Sequence, residues 1–276
     1  DGIDTSCTFL NHKLGAPIMI DSMTGGTPDA TKINSRLGQL AEKYGLAMGL
    51  GSQRAGLRSA ALAETYSVAR QAAPNAFLIA NIGGAQLSKG LSIDEINDII
   101  DMIKADALAI HLNPLQELVQ PEGEPKYKGV LTRIKEIVKV LDIPVIVKEV
   151  GAGISNEVAK SLENVGVAAV NVAGHGGTSW AGVEKLRAEM AQNAIKTRIG
   201  ELFWDWGIPT ALSLIEVRNA VKIPIVASGG IRNGLEIAKC LVLGANVCAM
   251  AYPFLKKADE ALDTLLLFTE ALVEDL

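Results

Sequence analysis

The chain has 276 residues, of which 49% are hydrophobic but only 4% aromatic. It is long enough to bury a sizeable core, and a core of Ala, Ile, Leu and Val suits parallel sheets covered on both faces rather than a disordered or fibrous chain. A net charge of −5 gives no general attraction for nucleic acid or an anionic lipid surface, so neither is an expected partner and any phosphate must be held by local groups.

Short apolar runs alternate with helical patterns from end to end. The candidate strands are 17–20, 47–51, 77–82, 107–112, 144–148, 168–172, 224–227 and 247–251. Between them lie apolar residues at helical spacing, such as Ile33, Leu37, Leu40, Ala41 and Tyr44, or Ile93, Ile96, Ile99, Ile100 and Ile103. Asp29, Ser92 with Glu95, Ser155 and Asn233 are expected to cap helices, and Gly45, Gly166 and Gly244 to end them. Strand and helix repeat at about 30 residues, the spacing of one strand-helix unit. Eight such units make an α/β chain of the (β/α)8 TIM-barrel class, with an open doubly wound sheet as the alternative. No break in composition divides the chain, so residues 1–276 are expected to form a single domain. The longest interruption, 178–219, follows strand six and holds Trp180, Phe203, Trp204 and Trp206; an insertion of that size suits a lid or wall, or tryptophans that only pack the helix layer.

Cys7, Cys240 and Cys248 are odd in number and widely spaced. They fit reduced thiols in a cytoplasmic protein better than a disulfide frame or a zinc site. No apolar run nears the roughly 18 residues of a membrane helix. The chain starts at Asp1 rather than Met, so the natural amino terminus is expected upstream, where a targeting signal stays possible.

Barrel enzymes build their sites at the carboxyl ends of the strands. Here those ends carry Ser22-Met23-Thr24-Gly25-Gly26, Ser52-Gln53-Arg54, Asn81, His111 to Glu117, Lys148-Glu149, Gly174 to Thr178, Ser228 to Arg232, and Ala251-Tyr252. The strand bodies are aliphatic, so these groups form a polar crown over a dry barrel. His111, Asn113, Gln116 and Glu117 are the densest part of it; Pro114 cannot continue a ladder, so they are expected on a turn. Buried unpaired they would cost several kcal/mol, so they must meet water, one another, a ligand or a metal. Ser228-Gly229-Gly230-Ile231-Arg232-Asn233-Gly234 is a glycine-rich turn leading into a helix, where backbone N–H groups can hold a phosphate; Gly176-Gly177-Thr178 could serve the same group. Lys148 ends an apolar strand and needs an anionic partner, either Glu149 or Glu117 in a structural pair, or a ligand that becomes negative. Glu117 suits Mg²⁺, which takes one or two carboxylates plus phosphate oxygens. His175 lies exposed or near a phosphate; His12 is expected at the surface, and Glu122-Gly123-Glu124 in a solvated loop. There is no Walker loop, no dinucleotide fingerprint, no His-x-His on strand one and no crown cysteine to act as nucleophile.

These motifs resemble, in order and across nearly the whole chain, those of the type 2, flavin-dependent isopentenyl-diphosphate isomerases: Met23-Thr24-Gly25-Gly26, Gly51-Ser52-Gln53-Arg54, Ala80-Asn81-Ile82-Gly83, His111 to Glu117, Val147-Lys148-Glu149, Gly176 to Trp180, Trp206 to Thr210 and Ser228 to Arg232. The resemblance implies FMN across the barrel mouth, its ring and ribityl chain touched by Ser22, Met23, Thr24, Ser52, Asn81 and Lys148. Its phosphate end would be held by Thr178, Gly229, Gly230, Arg232, Ala251 and Tyr252. Ser52, Gln53, Arg54, His111, Asn113 and Gln116 would bind the diphosphate substrate, with Glu117 on Mg²⁺; Gln116, His111 and Lys148 are the expected catalytic groups. It also implies reduced FMN as the active form, NAD(P)H as its reductant, and a homo-oligomer, tetramer or octamer. Two departures stand out: the family's amino-terminal Arg-Lys pair is absent, and Ala173 replaces a hydroxyl residue of some relatives. The carboxyl-terminal tail also looks shortened. A 2-hydroxy-acid oxidase with His175 as base, and a non-catalytic phosphate-binding barrel, are the alternatives.

Overall fold

The computed structural model describes residues 3–276. An antiparallel hairpin, β1 (Cys7–Phe9) and β2 (His12–Leu14), precedes the barrel. Its turn residues Leu10 and Asn11 both adopt positive φ, +47° and +65°. A two-residue turn of that kind is ordinarily signalled by Asn-Gly or Asp-Gly, and here neither the turn nor two three-residue strands stand out in the sequence.

Eight parallel strands follow: β3 (Ile18–Ile20), β4 (Ala47–Gly49), β5 (Leu78–Gly83), β6 (Ala107–His111), β7 (Val145–Lys148), β8 (Ala169–Asn171), β9 (Ile225–Ser228) and β10 (Val247–Met250). They close into a barrel in the order β10-β3-β4-β5-β6-β7-β8-β9. Each lies inside or within a residue of its expected run, and closure decides for the barrel over the open sheet. Side chains alternate along a strand, and the alternation sorts two cores. Ile18, Ile20, Met48, Leu78, Ala80, Leu108, Ile110, Val147 and Val170 point outward into the layer shared with the helices. Met19, Ala47, Ile79, Ala107, Ala109, Ile146, Ala169, Val226 and Ala249 fill the lumen. Phe9 and Leu14 of the hairpin join the lumen set, and the Phe9 ring meets Phe77 edge to face at 6.2 Å, so the hairpin stoppers the amino-terminal end. His12 packs beside Phe77 there, half-buried and far from the strand ends that carry the crown.

The helices begin and end largely as their caps dictate. Ser92 and Glu95 form a reciprocal capping box for Ile93–Ile103; Ser155 and Asn233 cap Asn156–Asn164 and Gly234–Val242 through their side chains. Thr27 rather than Asp29 is the N-cap of Pro28–Tyr44, because Pro28 sets the first turn and leaves Asp29 inside it. The long insertion is a helical hairpin, Trp180–Met190 and Ala194–Leu202, standing before the helix Thr210–Ala220 that completes the sixth unit. Trp204 lies flat against Gly182, where a Cβ would come within 2.9 Å of the indole, whereas Trp206 is 61% exposed. Among the described residues no helix is long and apolar enough to cross a membrane.

Candidate active site

The lumen register continues past the last apolar layer. Two residues beyond Met19, Ile79, Ala109, Ile146, Ala169 and Val226 stand Asp21, Asn81, His111, Lys148, Asn171 and Ser228, with Gly49 and Ala251 completing the turn of the barrel. The crown is thus the top layer of the barrel interior, and a small cavity beneath it is lined by Asp21, Ser22, Gly49, Lys148 and Asn171. Asp21, Asn81, Lys148, Asn171 and Ser228 are all at most 6% exposed.

Hydrogen bonds fix the orientation of His111. Asn81 Nδ2 donates to the carbonyl of Leu50 at 3.0 Å, so its Oδ1 is the acceptor that meets His111 Nδ1 at 2.8 Å. Nδ1 must therefore carry the proton, and Nε2 is left as a bare acceptor facing the mouth beside Gly83, where any Cβ would stand 3.0 Å away. Burial, then the nearby Lys148 ammonium and Arg54 guanidinium, push the imidazole down to about 3.

Lys148 does not pair as expected. Its partner is Asp21, with Nζ 3.6 Å from Oδ1, while the ammonium donates to the backbone carbonyl of Glu149 at 2.8 Å. The Glu149 carboxylate is taken up by the N–H groups of Val150, Gly151 and Ala152 at 2.6–2.9 Å, and burial holds its carboxyl above the usual range in spite of them. Asp21 was missed because it reads as one polar residue after a strand; the alternation from Met19 is the signal that points it inward.

The stretch after β6 is a short helix, Pro114–Val119, rather than a turn, since Pro at its first position has the right φ and no N–H to lose. Asn113 is 5% exposed. Its Oδ1 accepts from Tyr127 Oη at 2.7 Å and its Nδ2 donates to Gln116 Oε1 at 3.0 Å. Gln116 Nε2 in turn donates to Glu184 on the inserted hairpin at 3.2 Å, and Glu184 pairs with Arg187 at 2.6 Å. Glu184 is 1% exposed and was not singled out by its sequence context. Gln116, Glu149, Trp180 and Trp206 line one pocket between this helix and the insertion, which is therefore a wall of the site. Glu117 Oε2 accepts the N–H of Glu124 at 3.0 Å, and Arg187 reaches Glu122. The Glu122–Glu124 loop is solvent-exposed, as expected, and also serves as a tether. Among the described residues no group of three or more His, Cys, Asp or Glu side chains could hold a metal alone, so a cation at Glu117 needs ligand oxygens.

On the other side of the mouth two glycine loops interlock. A Cβ on Gly229 (φ +109°) would lie 2.1 Å from Gly174 O, and one on Gly230 (φ +83°) would lie 2.1 Å from Gly176 O. Thr210 Oγ1 donates to Gly229 O at 2.6 Å, and Arg232 spans both loops, donating to Gly230 O at 2.7 Å and Gly176 O at 3.2 Å. Among the described residues the N–H groups of Gly176, Gly177, Gly230 and Ile231 meet no protein acceptor, which is what an anion cradle requires. Thr178 and Tyr252 are exposed beside it, and Ala251 is half-buried. Ala173 holds φ +36° and its N–H meets Asn171 Oδ1 at 3.2 Å. His175 is half-buried, its N–H given to Ile208 O at 2.8 Å.

The remaining expected residues divide. Ser52 Oγ is buried without a partner, the only such side-chain atom among the described residues, so it is available to a ligand. Arg54 is exposed and forms no ion pair there. Gln53 departs from expectation: it is fully buried, donating to Ile99 O at 2.9 Å and accepting from Asn81 N at 3.1 Å, so it braces the rim from beneath instead of meeting substrate. Thr24 gives its hydroxyl to buried Asn34 at 2.5 Å, Met23 packs on the outer core, and Ser22 hangs by its N–H from Asp21 at 2.8 Å. Gly25 is pressed on the Tyr66 ring, where a Cβ would intrude to 1.8 Å.

A polar crown over an apolar lumen, with an anion cradle at one side, an orphaned hydroxyl and a buried lysine, is an arrangement that fits a phosphate-bearing cofactor at a barrel mouth. Residues 113–261 match the model of the FMN-dependent dehydrogenase family, to which the chain belongs. Within that class it is a member of the isopentenyl-diphosphate delta-isomerase family. It is 48% identical over 275 residues to the isopentenyl-diphosphate delta-isomerase of Nostoc sp., covering 99% of this chain and 77% of that one. It is 51% identical over 256 residues to that of Methanothermobacter thermautotrophicus, covering 93% and 70%. The fold alone is also that of a mandelate oxidase solved with a monooxide FMN adduct, at TM-score 0.65 and 15% identity over 99% of this chain and 76% of that one.

Proposed function

We propose that this chain, acting as one catalytic domain, performs its family's reaction, the interconversion of isopentenyl and dimethylallyl diphosphate, at the barrel mouth with FMN, Mg²⁺ and a diphosphate gathered there. The observation that carries the reading is the convergence of Asn81, His111, Lys148 and the glycine cradle on one rim. The cradle and Ser52 fit the phosphate and ribityl parts of FMN, and Lys148 fits the pyrimidine edge of its ring. When bound and reduced by NAD(P)H, the flavin supplies the proton carrier for an alkene that no ordinary side chain protonates near neutral pH.

The protein's own groups then position and polarise. Lys148 offers positive charge where a reduced ring becomes negative. His111, neutral and with Nε2 bare, and Gln116, anchored by Glu184, face the reacting end of the substrate. Arg54 would meet the diphosphate, and Glu117 would help hold Mg²⁺ there. Trp180 and Trp206, which line the pocket beside Gln116, would exclude water from the isoprenoid tail. A cytoplasmic homo-oligomer goes with this reading, and the three free thiols suit it.

The test is an assay with isopentenyl diphosphate, FMN, NADPH and Mg²⁺ under anaerobic conditions. Formation of dimethylallyl diphosphate without stoichiometric NADPH consumption is expected. Net oxidation of a 2-hydroxy acid instead, with His175 as base, would replace the reading. Glu117→Gln should raise the Mg²⁺ requirement at least tenfold with FMN still bound; loss of flavin would contradict its place.

A further inference from the structure

The rim carries a carboxylate that the proposed chemistry does not use. Asp21 and Lys148 are each 6% exposed, and Nζ stands 3.6 Å from Oδ1. That separation is too long for a tight hydrogen bond, so the pair interacts as charges. Asp21 is held in place independently: Ser22 N donates to it at 2.8 Å and Asn171 Nδ2 approaches both oxygens at 3.4–3.5 Å. Asn171 is itself fixed by the Ser228 hydroxyl at 2.7 Å. Among the described residues no other carboxylate pairs with the ammonium, and Glu149 is committed to three backbone N–H groups. Arg54, whose charge also acts on His111, is exposed, so solvent screens it.

A buried charge acts strongly on its neighbours because little water screens it. A lysine at the mouth with no counter-charge would bias the site toward an anionic ring and against a neutral one. With Asp21 ionised the pair is close to neutral, and that bias is damped. We propose that Asp21 is a positioning residue for Lys148 that sets how much more tightly this protein holds reduced, anionic FMN than oxidised FMN. The inference rests on FMN lying over Lys148, as proposed above. Both oxidation states then stay bound through a cycle of reduction and isomerisation.

The experiment is the midpoint potential of protein-bound FMN, titrated anaerobically with dithionite against a reference dye, the ring taking two electrons and one proton from solution. In Asp21→Asn, and in Asp21→Ser if the amide folds poorly, the potential should shift positive. A tenfold rise in the ratio of reduced to oxidised affinity corresponds to about 30 mV for a two-electron couple, and at least that shift is expected. Asp21→Glu should restore most of the original value. Lys148→Met, which removes the positive charge and leaves the Asp21 carboxylate in place, should shift the potential negative. A purely structural role would lower Tm and weaken both forms of FMN alike, with no change in potential, and that result overturns the proposal; so does a potential that fails to fall in Lys148→Met. Failure of the unsubstituted protein to bind FMN at all would instead remove the flavin reading itself.

Discussion

At the scale of single residues, protonation follows from hydrogen-bond bookkeeping. Asn81 has one orientation because Leu50 O takes its amide N–H, and that choice passes to His111 as a fixed tautomer. In ¹⁵N-edited NMR of the ligand-free protein, His111 should show the neutral, Nδ1–H pattern at pH 5; an imidazolium pattern there would contradict the geometry. Its pKa, about 3 against an ordinary 6.5, also gives a sign to acid stability. Between those values only the unfolded chain takes up the proton, so the contribution is intact above about 6.5 and is lost as pH falls toward about 3. Melting of the apoprotein should therefore steepen in acid, and His111→Gln should flatten that dependence. His111, Asn81, Lys148 and Ser52 were legible as polar ends of aliphatic strands. Asp21 and Glu184 were not: the first needs the lumen register carried two residues past Met19, and the second comes from an inserted helix whose approach to Gln116 no local pattern announces.

At the scale of elements, the helix Pro114–Val119 is too short to hold itself in place and is pinned from outside. Gln116 is tied to the inserted hairpin and Glu117 to the loop after it. Gly123 lets that loop close, because a Cβ there would lie 1.9 Å from Glu117 O. Gly123→Ala should cost about 1–3 kcal/mol as an overpacking change and, by displacing Glu117, raise KM for the diphosphate several-fold. FMN affinity, measured by quenching of flavin fluorescence, should not change. The sequence pattern showed a polar stretch after strand four and an insertion with tryptophans. It did not show that one clamps the other, since that contact joins residues 68 positions apart, Gln116 and Glu184.

At the scale of the molecule, the barrel was readable because eight aliphatic runs recur at one period, and its stopper was not, being three residues a strand with a Leu-Asn turn. Phe9 is 1% exposed at the closed end. Phe9→Ala should cost about 3–5 kcal/mol, seen as a lower Tm, with the flavin affinity of the surviving folded protein unaltered because the cradle lies at the opposite end. The cradle has its own dependence on the whole. Its two glycine turns come from β8 and β9, adjacent strands late in the chain, and each turn occupies the space a side chain on the other would need. Neither can take its shape alone. A chain whose final strands have yet to dock would therefore lack the cradle, so on the proposed reading flavin phosphate should be captured only once the ring has closed, and partly opened molecules should stay colourless.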